Sequence, residues 1–185
     1  MTRETEHSGC RLRDQVAWED VETVRTLTES SGFFTAHEVE IAMSLVVERL
    51  EFGESCGYYF LFAQGPDSCL GFACYGPYDD RPDWFDLYWI AVSDDHRGQG
   101  VGRLLLSEVV RRVRASGGRL LRAETSARDQ YRATRKFYER NGFVLTRTDR
   151  DHYAVGDDRC IYDKRLSAPF DVREPDSTGS EEVMQ

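Results

Sequence analysis

The stretch DDHRGQGVGRLLLSEVVRRV, residues 94–113, places Gly98, Gly100 and Gly102 directly ahead of a run with strong helical character. A glycine cluster leaves backbone N–H groups uncovered, and the helix that follows directs the positive end of its dipole toward the same point. Backbone presented in this way often holds a phosphate group, although a glycine-rich loop can also merely turn the chain. The surrounding residues therefore decide which glycine motif this is.

Two phosphate-binding patterns fit the segment poorly. A P-loop requires G-x-x-x-x-G-K-[ST], and the segment has no lysine followed by a hydroxyl residue. A dinucleotide fingerprint requires G-x-G-x-x-G directly after a strand, but Arg103 or Leu105 stands where the third glycine belongs. Residues 93–97 also separate the preceding strand from the loop. Glu124 lies about where a ribose-binding acid would be, so one residue still favours the dinucleotide interpretation.

The rest of the chain alternates short apolar runs with amphipathic segments. Their periodicity predicts strands at 10–16, 58–63, 70–75, 85–92, 120–124, 143–147 and 160–166, and helices at 18–30, 36–49, 101–115 and 131–141. Thr35 followed by Glu38 predicts a capping box at the start of the second helix. Pro77 and Pro82 are expected to bracket a loop. This order of elements predicts a mixed α/β sheet in one domain.

The strand expected at 85–92, FDLYWIAV, has the strongest signal in the chain, and apolar residues on both of its faces place it in mid-sheet. Asp86 is its only ionisable residue, which is unusual for a buried strand. A buried carboxylate at this place fits a general base with a raised pKa, acting directly or through water. The alternative is a strand-end aspartate that is solvated or paired with an arginine.

Three features of the sequence occur together in a set order. Arg97, Gly100 and Gly102 satisfy the pattern [RQ]-x-x-G-x-[GA] between a strand and a helix. Residues 137–143, FYERNGF, satisfy F-Y-x-x-x-G-F about 35 residues later, and Asp86 lies in the strand that precedes the loop. These features are similar to the acyl-CoA loop, the helix end and the central-strand carboxylate of the GNAT superfamily of N-acetyltransferases, which the chain therefore resembles.

The resemblance covers residues 10–166 and implies the GNAT fold. In this α/β fold a mixed, mostly antiparallel central sheet contains a splayed parallel strand pair and is flanked by about four helices. The resemblance also implies acetyl-CoA as the acyl donor and a small-molecule primary amine as the acceptor. Two positions depart from the family pattern, since Tyr131 replaces a frequent asparagine and Thr134 a frequent alanine. The cofactor contact of that asparagine is therefore missing, whereas binding by the loop backbone needs no side chain.

Residue roles follow from the same resemblance. The residues implied in cofactor binding are Ile90, Ala91, Val92, Arg97, Gly98, Gln99, Gly100, Val101, Gly102 and Arg103. The amide of Val92 is the expected hydrogen-bond donor to the thioester carbonyl, where negative charge develops. Tyr138 is the expected general acid for the leaving thiolate, and its alternative role is that of a core tyrosine packing a helix on the sheet. Glu124 and Thr125 end a strand beside the cleft and are candidate substrate contacts.

Composition narrows the functional classes. The chain of 185 residues carries a net charge of −9, which argues against nucleic acid as its main partner. Its five cysteines are scattered without a C-x-x-C pair, which indicates reduced thiols and no metal site. Apolar runs are too short for a membrane span, and the first residues do not resemble a signal peptide. We therefore expect a cytoplasmic protein with no membrane partner.

The expected organisation is a flexible N-terminus at 1–9, the acyltransferase domain at 10–166 and an acidic, disordered tail at 167–185. Whether the chain forms a homodimer is left open. Two other functions are compatible with the motifs, namely a non-catalytic acyl-CoA-binding module and an N-acetyltransferase of proteins or peptides. The presence of both Asp86 and Tyr138 favours an enzyme, because binding alone requires neither residue.

Overall fold

The structure, a computed structural model, describes residues 10–78 and 80–166. The segments 1–9 and 167–185, expected to be flexible and disordered, lie outside the described residues, so both expectations stay predictions. The strands are β1 (Arg11–Arg13), β2 (Tyr59–Gln64), β3 (Cys69–Tyr78), β4 (Arg81–Val92), β5 (Leu120–Ser126), β6 (Val144–Ala154) and β7 (Asp157–Arg165). The α-helices are α1 (Glu19–Ser30), α2 (Ala36–Phe52), α3 (Val101–Ala115) and α4 (Arg132–Arg140).

The strands of the described residues form one sheet in the order β1-β2-β3-β4-β5-β7-β6. β4 and β5 run parallel, and every other neighbouring pair is antiparallel. A parallel pair needs a crossover connection, which α3 provides. The fold predicted from the sequence, a mixed and mostly antiparallel sheet with one parallel pair and four helices, is confirmed.

Helices cover both faces of the sheet. On one side, which we call the α1/α2 face, residues such as Val24 and Val46 pack against Phe72 of β3. On the other, the α3/α4 face, Leu105 and Val109 belong to a second buried cluster. The helices on each face thus bury their apolar side chains against that side of the sheet. No helix within residues 10–78 and 80–166 is long and apolar enough to cross a membrane.

A β-bulge lies within β4. The β3 partners of Leu87 and Trp89 are adjacent residues, so Tyr88 is an extra residue opposite no position of β3. In a regular strand Leu87 and Ala91, four residues apart, would point to the same face. Here Leu87 belongs to the cluster on the α3/α4 face and Ala91 to the cluster on the α1/α2 face. The bulge therefore reverses the side-chain alternation just before the end of β4.

β4 and β5 pair over a short stretch and then separate. Their pairing ends at Leu87 and Ala123. Beyond this point β4 stays paired with β3 as far as Val92, and β5 stays paired with β7 as far as Ser126. The two parallel strands thus part at the bulge, which gives the splayed pair expected from the family resemblance.

The connection between Pro77 and Pro82 is shorter than the loop expected from the sequence, because both prolines lie within strands. β3 continues to Tyr78 and β4 begins at Arg81, and these two residues face each other across the strand pair. The register is irregular between Pro77 and Tyr78, and Pro82 precedes Trp84, the first residue of β4 that pairs with β5. Both prolines lie near the end of the β3–β4 pair, where β2 no longer pairs with β3, and proline is tolerated at such positions.

The capping box at the start of α2 is present as predicted. The N–H of Glu38 donates to Thr35 Oγ1 at 3.2 Å, and the N–H of Thr35 donates to Glu38 Oε2 at 2.7 Å. This pair satisfies two backbone donors that have no partner within the helix. It also sets the point at which residues 31–34, which we call the α1–α2 loop, enter the helix.

Replacing the cap tests its contribution to stability. We expect Thr35→Ala to lower the free energy of unfolding by about 1 kcal/mol, because a backbone N–H loses its acceptor. Urea unfolding monitored by circular dichroism measures this change. Thr23→Ala is the matched control, since the hydroxyl of Thr23 bonds only to the carbonyl of Glu19 within α1. The control should stay within about 0.5 kcal/mol of the parent, and equal losses in both variants would contradict the assignment.

Candidate active site

The glycine loop joins the end of β4 to the start of α3. Gly98 has φ of 72° and Gly100 has φ of 90°, conformations that residues with a side chain rarely adopt. No heavy atom lies within 4 Å of a Cβ built on either glycine, so the backbone conformation rather than space requires them. α3 begins at Val101 without a side-chain cap. Its first N–H groups are therefore free to bind an anion.

A cleft of about 600 Å³ runs between this loop, the end of β4 and α4. Its basic lining residues are Arg97, Arg103, Arg140 and the imidazole of His96, and no carboxylate is among the lining residues. Arg97 pairs with Asp94 at 2.7 Å. Within residues 10–78 and 80–166, Arg103 and Arg140 form no ion pair. The cleft therefore presents two uncompensated guanidinium groups, one from α3 and one from α4, beside the helix N-terminus.

Most of the residues expected to bind a cofactor line this cleft, and three do not. The lining includes Ile90, Val92, Arg97, Gly98, Gly100, Gly102 and Arg103. Gln99 is exposed, and its side-chain amide donates to the carbonyl of Asp95 at 2.8 Å. Val101 is buried in the cluster on the α3/α4 face. Ala91 lines only a smaller adjoining cavity.

The backbone at the end of β4 is open on one side. The N–H of Ser93 donates to the carbonyl of Leu70 at 2.9 Å, which places Ser93 and Leu70 in a hydrogen-bonded pair. Hydrogen-bonded positions alternate along an antiparallel pair, so Ala91 also bonds to β3. The N–H and C=O groups of Ile90 and Val92 then point away from β3, into the gap that β5 leaves. An extended ligand can pair with them as an added strand would.

A cavity of about 170 Å³ continues the cleft into the gap between β4 and β5. It brings Glu124 and Thr125 of β5 together with Tyr138 of α4, as expected for residues at the reacting end of the site. Aromatic residues close it, and sequence reasoning did not single most of them out. These are Phe33, Phe34, Trp89 and Tyr131.

Tyr138 lies at the inner wall of this smaller cavity. Its side chain is only 4% exposed and packs against Phe143 and Tyr162, with ring centroids 5.4 and 5.8 Å away. Burial, together with the nearby Tyr153, raises the pKa of Tyr138 above its usual value. The phenol therefore stays protonated throughout the neutral range, so that it holds a proton to donate. It is a core tyrosine as well, and the packing holds its ring in place.

Asp86 lies apart from the other candidate residues. It faces Gly76 of β3 and Arg122 of β5, and it lines neither cavity. Arg122 also binds Asp163 through two hydrogen bonds of 2.9 and 3.0 Å. The pKa of Arg122 is raised chiefly by Asp163 and in part by Asp86. Trp89, the first residue of β4 after Asp86 that lines the smaller cavity, is three residues or up to about 10 Å of strand away, so a water molecule could carry a proton between them.

The α1–α2 loop is attached to the site from two sides. The hydroxyl of Tyr131 donates to the carbonyl of Phe33 at 2.7 Å, and their rings lie 5.6 Å apart. Arg97 donates to the carbonyl of Ser31 at 3.1 Å, and its guanidinium lies 5.0 Å from the Phe33 ring. Phe33 is thereby held over both cavities. The one sequence signal for this arrangement is the tyrosine at 131, where an asparagine is frequent.

Glu124 belongs to a line of charges on the exposed side of β5, β7 and β6. Its Oε2 accepts a hydrogen bond from Arg159 at 3.0 Å, and Arg159 also binds Asp149 at 2.6 Å. These contacts orient the carboxylate at the edge of the smaller cavity.

No cluster of three or more His, Cys, Asp or Glu side chains suited to a metal ion occurs in the part of the chain that the structure describes.

Comparison with known proteins agrees with this geometry. The family model described as the acetyltransferase (GNAT) family matches residues 19–143. A GNAT-family protein of Desulfovibrio desulfuricans is 46% identical and superposes with a TM-score of 0.84, over 85% of this chain and 99% of that protein. No curated protein sequence matches the chain.

Two more distant structures share the fold. The yncA protein of Salmonella typhimurium, solved with its cofactor acetyl-CoA, is 17% identical with a TM-score of 0.67, over 92% of this chain and 99% of that one. A ribosomal-protein-alanine N-acetyltransferase of Brucella melitensis is 21% identical with a TM-score of 0.68, over 84% and 99%. At these identities the likeness concerns the fold alone.

The Tyr131 hydrogen bond can be tested without a substrate. We expect Tyr131→Phe to lower the free energy of unfolding by about 1 kcal/mol and to speed amide hydrogen exchange in residues 31–34, because the loop loses one of its two attachments. Hydrogen exchange followed by mass spectrometry measures the second effect. Tyr78→Phe, at the far end of β3, is the control and should leave this exchange unchanged. Unaltered exchange in Tyr131→Phe would show that the hydrogen bond does not hold the loop.

Proposed function

Because this chain belongs to the GNAT family of acetyltransferases, we propose that it transfers an acetyl group directly from acetyl-CoA to a primary amine of a small molecule. The observation that carries the proposal is the position of Tyr138. It lies protonated and buried where the anion-binding cleft meets the gap between β4 and β5. A module that only binds acyl-CoA has no use for a proton donor at this point.

The cleft suits acetyl-CoA along its whole length. The free N–H groups at the start of α3, with Arg97 and Arg103 beside them, would bind the pyrophosphate. Arg140, on the opposite wall, would contact the remaining phosphate of the nucleotide. The open backbone groups of Ile90 and Val92 would pair with the amides of the pantetheine arm. The arm would then lead the thioester into the smaller cavity.

The chain's own groups can support both halves of the reaction. The amine nitrogen forms a bond to the thioester carbon while the bond from carbon to sulfur breaks. We assign the N–H of Val92, which points into the gap, to stabilise the carbonyl oxygen as it becomes negative. Such a donor is effective because its position is fixed by β3 before the reaction begins. No side chain has to move for it.

Two protons have to move. The amine must lose one before its nitrogen can attack, and we assign its removal to Asp86 acting through water, in keeping with the distance along β4. The departing thiolate must gain one, and we assign this to Tyr138. A phenol is a weaker acid than a thiol, whose pKa is about 8.5. The transfer from Tyr138 therefore has to accompany the breaking of the carbon–sulfur bond rather than precede it.

Thiol release tests the proposal. We expect primary amines to accelerate CoA release from acetyl-CoA, and we expect Tyr138→Phe to lower kcat by about 10²-fold or more, because the acid is lost. CoA affinity, measured by calorimetry, should change little in the variant. Tight CoA binding without acceleration by any amine or peptide would make the chain a binding module. Acceleration by peptides alone would make it a peptide acetyltransferase.

The pH profile gives a second readout for Tyr138. The acidic form is the active one, and its pKa lies above the value of about 10 for a free phenol. The protonated fraction therefore stays above about nine tenths up to about pH 9, and the rate should rise as the amine loses its proton and then stay level. A falling limb between pH 7 and 9 would contradict Tyr138 as the acid.

The cytoplasmic location expected from the sequence stays a prediction.

Arg140 offers a test of cofactor recognition. We expect Arg140→Gln to weaken CoA binding by about tenfold, since one charge-assisted contact to a phosphate is worth about 1.5 kcal/mol. Arg132→Gln is the control, because Arg132 is exposed on the same helix and does not line the cleft. Calorimetry with CoA and with 3′-dephospho-CoA locates the contact. Equal weakening in both variants would indicate a general charge effect and no direct contact.

A further inference from the structure

The smaller cavity has aromatic walls. Phe34 and Trp89 meet edge to face with ring centroids 4.9 Å apart, and Phe33 and Tyr131 lie 5.6 Å apart. Tyr138 forms the inner wall. Such walls favour an apolar body and, through the negative faces of the rings, an attached cation. The hydrogen bond from Tyr131 to the α1–α2 loop keeps them together.

The charges at the cavity favour a positive ligand. Only two lining residues are charged among those the structure describes, Glu124 and Arg97. Arg97 is already engaged by Asp94 at 2.7 Å and by the carbonyl of Ser31 at 3.1 Å. Glu124 is exposed, and Arg159 binds one of its oxygens from outside the cavity. A carboxylate on the ligand would therefore meet Glu124 with no free cation to balance it.

The charges that act on Tyr153 also favour a positive ligand. Tyr153 lies near Tyr138, and burial raises the pKa of Tyr153 to about 12, with the carboxylates of Glu124, Asp157 and Glu38 acting in the same direction. Arg159 opposes them in part. Three acidic side chains thus act electrostatically on the hydroxyl of Tyr153, although one of them, Asp157, is also paired with Arg128 at 2.9 Å. Their effect on Tyr153 favours an ammonium group over a carboxylate beside it.

Space restricts the acceptor further. The cavity of about 170 Å³ is close to the size, about 150 Å³, of a cavity that holds one benzene molecule. The acetyl thioester has to occupy part of it. The nitrogen can therefore be carried in only on a narrow chain. A branch on the neighbouring carbon needs additional room, and on this side the edge-to-face pair of Phe34 and Trp89 limits it.

Resting on the proposed function, we infer that the acceptor is an amine of the form R–CH2–NH3⁺, with an apolar R group and with no carboxylate or branch on the carbon that bears the nitrogen. Glu124 holds the ammonium group at the entrance. The ammonium loses one proton through water to Asp86, and the free amine then attacks. The amide formed is neutral, so Glu124 no longer holds it and the product can leave.

Matched pairs of acceptors test this inference in the thiol-release assay. We expect kcat/KM for tyramine to exceed that for tyrosine by at least about 100-fold, and n-butylamine to exceed sec-butylamine by at least about tenfold. The first pair differs by one carboxylate and the second by the position of one carbon. Comparable rates within either pair, or a peptide with a free N-terminal alanine as the best acceptor, would overturn the inference while leaving the enzyme intact. If no acceptor accelerated thiol release, the proposed function itself would be overturned.

Two variants connect the preference to the residues named. Glu124→Gln should raise KM for tyramine by about tenfold, change kcat less, and narrow the preference over tyrosine. Phe34→Ala should raise kcat/KM for sec-butylamine relative to n-butylamine, because it removes the ring that a branch would meet. Glu40→Gln, an exposed position on α2 outside the cavity, is the charge-matched control and should leave both ratios unchanged. A preference unaltered in both Glu124→Gln and Phe34→Ala would rule out this cavity as its source.

Discussion

The site depends on the hydrogen bonds that β4 and β5 do not make. The two parallel strands are paired only as far as Leu87 and Ala123, and the bulge at Tyr88 then turns β4 away with β3. A buried backbone group without a partner costs about 1 to 3 kcal/mol. The gap is therefore stable only if water or a ligand reaches the open groups of Ile90 and Val92. The cleft is where both can enter.

Aromatic packing keeps this gap from closing. Tyr138 is held by Phe143 and Tyr162 at its inner end, and the α1–α2 loop, with Phe33, covers the outer end. The same packing that stabilises the fold therefore fixes the proton donor beside the open strand. Its effect on the pKa of Tyr138 has the same origin, since burial disfavours the phenolate. The contacts of Tyr138 with Phe143 and Tyr162 therefore serve both the stability of the fold and the proposed proton transfer.

The two ends of the site differ in charge, and this difference orders the ligands. The cleft presents Arg103 and Arg140 and no carboxylate, whereas the smaller cavity presents the carboxylate of Glu124. The proposed anionic donor and the inferred cationic acceptor would each be drawn to one end. They would meet in the gap between β4 and β5. The net charge of −9 for the chain does not reveal this separation, because it sums over all residues and says nothing of where Arg103 and Arg140 lie.

Local features followed from the sequence because they depend on residues close together in the chain. The capping box of Thr35 and Glu38, the glycine loop ahead of α3, and the order of strands and helices are of this kind. Their geometry is set within a few residues, so a motif suffices to predict it. The family resemblance extended this to the splayed pair and to the cleft as a whole.

Tertiary structure alone decided which of these features meet. Tyr131 and Phe33 are 98 residues apart and form one hydrogen bond over the site. The bulge at Tyr88 reverses the side-chain alternation of β4, and nothing in the apolar sequence of the strand predicts it. Asp86 lies before the bulge and does not line the cavity that Glu124 and Tyr138 share. Side-chain alternation can be counted along a strand only until the register shifts, and the register is set by the partner strand.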